Sequence, residues 1–206
     1  MRTKTEEQAD KILEAAGRLF GHLRFHEVRM GDIAAEAQVG KGTLYRYFRD
    51  KEELYLALLA QSSERFSRRV QAAAAGVEGV RRRLEAVLAA VIDHFDEQPH
   101  LFDLIQRAEV LNIEEVELPW RRLRQEVLQL YVDLLREGTE RGEFYVADPE
   151  LTGLLLLGGM RGVIRFGKQP RPRDLPRQIV AALVRPAVDC PSARRPGNHL
   201  PQASRS

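Results

Sequence analysis

Cysteine is nearly missing. Cys190 is the single one in 206 residues, so no intrachain disulfide can form and a reducing compartment is the natural setting. An excess of either charge is missing too. The net charge is +2 at pH 7, so only the local distribution of charge can argue for a partner. Long apolar runs are absent. The most apolar stretch, residues 151–160, is about half a membrane span, which argues against any membrane partner. The stretch MRTKTEEQADKILEAAG carries acids and no long apolar segment, so no signal peptide is expected there and the protein reads as cytoplasmic. No β-like alternation and no internal repeat appears.

The signatures of catalysis are also missing. His22, His26, His94, His100 and His199 show no ligand spacing such as i, i+4 on one helix. There is no glycine-rich phosphate loop, nucleophile elbow or cysteine pair. Asp93 with His94, and Glu114 with Glu115, are adjacent and point apart on a helix. No enzyme, metal or cofactor is expected.

What is present is helical periodicity. Ile12, Leu13, Ala16, Leu19, Phe20 and Leu23 predict an amphipathic helix over about 5–22. Short helices follow at about 30–37 and 41–47. A fourth opens at Asp50, an N-cap with Glu53 three residues on as in a capping box, and stops near Gly76 and Gly79. Further helices are predicted from about Leu84 to before Pro99, around Leu101, Leu104, Ile105 and Ala108, and from Pro119 to about Gly138–Gly142. Another runs from the Asp148 cap to about Phe166, and the last from Asp174 or Pro176 to about Val188. The fold class is all-α, with about nine helices. Residues 190–206 turn to Pro, Ser, Arg and Asn and are expected to form a disordered tail.

Residues 1–50 differ from the rest. Two short helices joined by a tight turn at Gln38-Val39-Gly40 form a helix-turn-helix, a unit that sets its second helix in the DNA major groove. Residues 1–54 are balanced, ten basic against ten acidic, yet 38–51 hold Lys41, Arg46, Arg49 and Lys51 against Asp50 alone. Positive charge gathered at a tip suits phosphate contact. Leu44 and Phe48 share a face and, with Val39, should pack on Phe20, Ile33 and Ala34. Thr43, Tyr45, Arg46 and Tyr47 should lie to the sides and outside. Tyrosine hydroxyls can donate to phosphates, and Arg46 can fork onto a guanine edge. Gly40 and Gly42 permit close approach of a DNA backbone. The alternatives are a solvated surface helix or an adaptor that binds protein through the tip. Salt-sensitive binding to duplex DNA separates these.

IAAEAQVGKGTLYRYFRDKEELY, residues 33–55, resembles the N-terminal signature of the tetracycline-repressor (TetR) family of bacterial transcription regulators. ILEAAGRLFGHLRFHEVRMGDIA, residues 12–34, resembles the same module. The resemblance covers about residues 5–60; beyond them only the helical layout and ADPELTGLLLLGGMRGVIRF fit it. It implies a homodimer in which residues 1–50 bind double-stranded DNA and the helical domain 51–189 dimerises and binds a small-molecule inducer. The function it implies is a repressor that binds an inverted-repeat operator and is released by a small, hydrophobic ligand. An activator, or a regulator that answers no small molecule, stays open. The recognition helix corresponds to Lys41–Tyr47, with Lys41, Gly42, Thr43, Tyr45, Arg46 and Tyr47 toward DNA, and the phosphate-contacting lysine corresponds to Lys51. This chain departs from the pattern at Arg29, where a capping threonine is usual. Arg29 loses the cap and can reach a phosphate. Gln38 stands for the turn glycine and Gly40 for a serine.

Gly158, Gly159 and Gly162 sit in a strongly apolar helix, where each glycine costs about 1 kcal/mol. Close helix approach across a dimer would offset that cost; burial within one subunit is the alternative. Phe66, His94, Phe95, Phe102, Gln106, Trp120 and Tyr131 are the candidate lining of an inducer pocket, though aromatics at this spacing also build ordinary cores. Arg161, Arg165, Lys168, Arg171, Arg173 and Arg177 can hold an anion, or form a solvated helix end and loop.

Overall fold

The described helices turn apolar faces toward one shared core. The computed structural model describes residues 4–99, 101, 102, 105 and 119–186. Eight helices are present among them: α1 (Lys4–His22), α2 (Met30–Glu36), α3 (Lys41–Tyr47), α4 (Lys51–Ala74), α5 (Val80–Glu97), α6 (Pro119–Glu140), α7 (Pro149–Phe166) and α8 (Leu175–Leu183). The helix expected around Leu101–Ala108 lies largely outside the described residues, as do Cys190 and the expected tail. No helix of the described residues is long and apolar enough to cross a membrane.

The N-terminal three helices close on Ile12, Ala16, Phe20, Ile33, Ala34, Leu44 and Phe48, all buried. Arg29 stands at the α2 N-cap with no side-chain cap bond, since a guanidinium has no acceptor. Asp32 supplies the reverse half, its carboxylate accepting the Arg29 N–H at 3.0 Å. α2 ends with Gln38 at φ 55°, a left-handed residue that lets the Val39 N–H reach the Ala34 carbonyl at 2.9 Å. Glutamine pays about 1–2 kcal/mol there that glycine would not.

α4 ties the two halves together. Its first turns carry Tyr55 edge-on to the Phe20 and Phe25 rings, and its later turns pack on α5 and α6. Asp50 caps it, accepting the Glu53 N–H at 2.8 Å. That bond, then the Arg49 side chain, holds the Asp50 carboxyl below its usual range. Glu53 does not complete a capping box on Asp50. Its carboxylate accepts the Arg49 N–H at 2.6 Å, one residue earlier.

α5 begins at Gly79, whose φ of 84° is open to glycine and which has no side chain to cap the helix. Glu143, in the turn between α6 and α7, takes over. Its carboxylate accepts the N–H of Val80 at 2.9 Å and of Arg81 at 3.1 Å. The Val80 bond first, then that of Arg81, holds the Glu143 carboxyl below the usual value of 4.5. A depressed carboxylate adds stability above its unfolded pKa and loses it as pH falls through its folded pKa. Glu143→Gln should therefore cost about 0.5–1 kcal/mol at pH 7. Denaturant midpoints of the variant and the parent should converge as pH drops below the usual glutamate value; a gap that persists in acid would remove the charge from the account.

α6 closes at Glu140, within the expected 138–142 stretch, and Gly138 is glycine because the Phe144 ring lies where a Cβ would stand. One boundary differs from expectation. α8 ends at Leu183, five residues early. Pro186 disfavours helix at Arg185, and the chain turns extended, Arg185 exchanging two backbone hydrogen bonds with Tyr145 at 2.9 and 3.1 Å.

Candidate nucleic-acid interface and ligand cavity

α3 has seven residues and presents two faces. Leu44 is fully buried, while Tyr45 is 53% exposed. Lys41, Gly42 and Arg46 are exposed and Thr43 is half-buried. Tyr47 corrects the sequence reading. It is half-buried, with its ring against the core, because it stands three residues after Leu44 and so shares Leu44's side of the helix. The Arg46 guanidinium sits 5.4 Å from the Tyr47 ring centroid. A Cβ at Gly42 would meet nothing within 4 Å, so the protein itself does not need a glycine there.

Arg29 is exposed at the start of α2, and Lys41 extends alongside α2, where a Cβ on Gly31 would lie 3.3 Å from its Cε. No ion pair to another described residue holds Arg29, Lys41 or Arg46. Lys51 is placed differently. Its Nζ donates to the Phe25 and Val28 carbonyls at 2.7 and 2.8 Å and lies 4.3 Å from the Phe25 ring centroid. It binds the α1–α2 loop to the start of α4, a role its sequence position did not reveal.

The second site is a cavity of about 240 Å³ among α4, α5, α6 and α7. Phe66, Phe95, Phe102, Trp120 and Tyr131 of the expected lining meet there. His94 does not reach it. It is buried behind Phe66, ring centroids 4.7 Å apart, and lines only a small neighbouring void. Gln106 lies outside the described residues. The sequence reading missed Arg124, Leu154, Leu157, Gly158 and Met160, and placed Arg161 in a different group. Arg124 carried a usable signal: it is four residues from Trp120 and seven from Tyr131, on one side of α6.

Tyr131 is fully buried, and its hydroxyl has no hydrogen-bond partner among the described residues. Burial pushes its phenol pKa up, so it stays a protonated donor. Among the described residues the cavity wall is otherwise apolar apart from Arg124 and Arg161, the latter with its guanidinium 5.9 Å from the Phe102 ring centroid.

The basic run 161–177 is not uniform. Arg165, Lys168, Arg173 and Arg177 are exposed. Arg171 corrects the solvated reading: its side chain is 7% exposed. Its Nη1 donates to the Val163 carbonyl at 2.7 Å and its Nη2 to that of Ile164 at 3.1 Å. Its Nε meets the Asp96 carboxylate at 2.7 Å. It fastens the end of α7 to the end of α5.

The outer side of α7 is unlike an ordinary surface. Leu151, Leu154 and Leu155 are each more than half exposed and Phe166 is 84% exposed. A Cβ on Gly158, Gly159 or Gly162 would meet nothing within 4 Å.

Comparison with known proteins agrees with this layout. The model of bacterial regulatory proteins of the tetR family matches residues 12–58, and that of a tetracyclin repressor-like C-terminal domain matches 77–166. Together they span more than half of the chain. The transcriptional regulator YhgD of Bacillus subtilis is 28% identical over 180 residues, 84% of this chain and 90% of its own length. The structure of the regulator FadR from Bacillus subtilis in complex with stearoyl-CoA has the same fold, with a TM-score of 0.68, 21% identity, and coverage of 85% of this chain and 97% of that one. AibR in complex with isovaleryl coenzyme A and operator DNA also matches at a TM-score of 0.68, with 20% identity and coverage of 87% and 99%. The protein belongs to the tetR family of bacterial transcriptional regulators.

Proposed function

We propose that this regulator is a repressor that binds an inverted-repeat operator as a homodimer and is released by a small hydrophobic inducer. The observation that carries the reading is the two-faced α3 at the tip of the helix-turn-helix: Leu44 buried within, Tyr45 and Arg46 turned out. Arg29, Lys41, Gly42, Thr43, Tyr45 and Arg46 form the DNA side. The open space at Gly42 is room for a DNA backbone. Lys51 adds positive charge and holds the loop that frames this surface.

The exposed leucines and the open glycine row of α7 support dimerisation, because an apolar face of this kind is normally covered. Two copies joined along α7 and α8 would carry two recognition helices, hence the inverted repeat. Leu154, Gly158 and Arg161 of the same helix line the cavity. Ligand and partner would thus meet the same stretch of α7 at Leu154 and Gly158, which gives an inducer a route to the spacing of the DNA-binding tips. The ligand shifts that equilibrium only through its different affinity for the two arrangements, of order 1–3 kcal/mol. The acyl-CoA complexes of FadR and AibR support an apolar ligand body. A bacterial regulator that works on DNA would act in the cytoplasm.

Light scattering at micromolar concentration, combined with selection of bound duplexes from a random library, tests the proposal. A dimer and enriched inverted repeats with half-sites about one helical turn or more apart are expected. A monomer, or duplexes enriched for no repeat, would overturn it.

A further inference from the structure

A buried tyrosine hydroxyl normally finds a partner, and one left without it costs free energy in the empty protein. Among the described residues the Tyr131 hydroxyl has none, and it stands at the wall of the cavity. Two arginines also belong to the lining, and their position relative to Tyr131 follows from helix geometry. A Cβ on Gly153 would meet Val132 and Leu128, and Arg136 pairs with Glu150 at 2.6 Å, so α6 and α7 run antiparallel. Eight residues on from Gly153 stands Arg161; eight back from Val132 stands Arg124. Both arginines therefore fall at the same end of the cavity. Tyr131 lies seven residues along α6 from Arg124, about 10 Å deeper. Arg124 is exposed and Tyr131 is fully buried, so the charged end is the mouth and the hydroxyl is the depth.

Resting on the ligand-responsive reading above, we propose that the cavity selects an amphipathic organic anion whose apolar chain carries a hydrogen-bond acceptor at the level of Tyr131. The negative end lies at Arg124 and Arg161, and a carbonyl or ether-type oxygen inside the chain accepts the Tyr131 O–H. Size sets the class further. A cavity of about 150 Å³ holds the six carbons of benzene, so 240 Å³ has room for about ten. A plain hydrocarbon chain of that length fills the space and leaves the hydroxyl unpaired. An oxygenated one satisfies it. The acceptor can come from an oxo-acid or from the thioester carbonyl of an acyl-CoA, whose phosphates then supply the negative charge.

The test is calorimetric titration of the full chain with decanoic acid, a series of oxodecanoic acids with the ketone moved along the chain, and decanoyl-CoA. At least one oxygenated ligand should bind about tenfold more tightly than decanoic acid. Tyr131→Phe should erase that preference, keep the affinity for decanoic acid, and melt no lower than the parent in the absence of ligand. Loss confined to one oxodecanoic acid assigns the acceptor to an oxo-acid, and loss confined to decanoyl-CoA assigns it to the thioester. If all ligands bind alike and Tyr131→Phe changes none of them, this inference falls while the ligand-responsive reading stands. If none binds, both fall.

Discussion

Arg171→Ala is expected to lower the stability of the folded chain by about 2–4 kcal/mol. The guanidinium has three acceptors, two of them main-chain carbonyls in the last turn of α7; that of Val163 also accepts the Gly167 N–H at 3.0 Å. Removing it takes a donor from each carbonyl, leaving Val163 with the Gly167 N–H, and leaves the Asp96 carboxylate with the Gln169 side chain in place of a cation. The figure stays below that of a fully buried pair because the Asp96 side chain is 31% exposed and water can reach it. Gly167 belongs to the same device: a Cβ there would lie 2.6 Å from Arg171 Nη1. Arg171→Lys should recover part of the loss, since an ammonium keeps the charge but cannot span three acceptors in one plane. Equilibrium denaturation checks both variants. A loss under about 0.5 kcal/mol for the alanine variant would show a surface contact without weight. The consequence reaches function, because Arg171 fixes the end of the helix that lines the cavity and presents the open apolar face.

What was legible in the sequence depended on how local its cause is. The bounds of α3, the Asp50 and Asp148 caps and the proline at the start of α7 follow from neighbours within four residues, and the structure has them where the pattern put them. Gln38 was legible too: a turn that usually carries glycine takes a positive φ here. Tyr47 was misread although its signal was present, three residues from Leu44. Lys51 and Arg171 were beyond local reading. Their partners lie 23 to 26 and 75 residues away, or across a loop, and a basic residue in a polar run looks the same whether water or a carbonyl waits at its end. The cavity lies between these cases. Helical spacing gathers its aromatics, while a Tyr131 hydroxyl without a partner among the described residues appears only once its surroundings are packed.

Leu44→Ala and Arg46→Ala, two positions apart on one short helix, are expected to fail in opposite ways. Leu44 is fully buried in the small core of the first three helices. Its truncation should cost roughly 2–5 kcal/mol, because a seven-residue helix pinned between two turns cannot move far to fill the space. DNA binding would then fall with the folded fraction, on every sequence alike. Arg46 touches no core residue except through its own stacking on Tyr47, so Arg46→Ala should leave the melting temperature nearly unchanged. It is the long, forked side chain in the middle of the exposed face, suited to a guanine O6 and N7. Its loss should cost about 1–3 kcal/mol on the selected operator and much less on random duplex. Tyr45 is a different control, since a hydroxyl on a phosphate fixes register and carries little sequence information. Fluorescence anisotropy on matched specific and random duplexes, read beside the thermal melts, separates the two mechanisms. Equal weakening of both duplexes by Arg46→Ala would move that side chain from a base edge to the phosphate backbone.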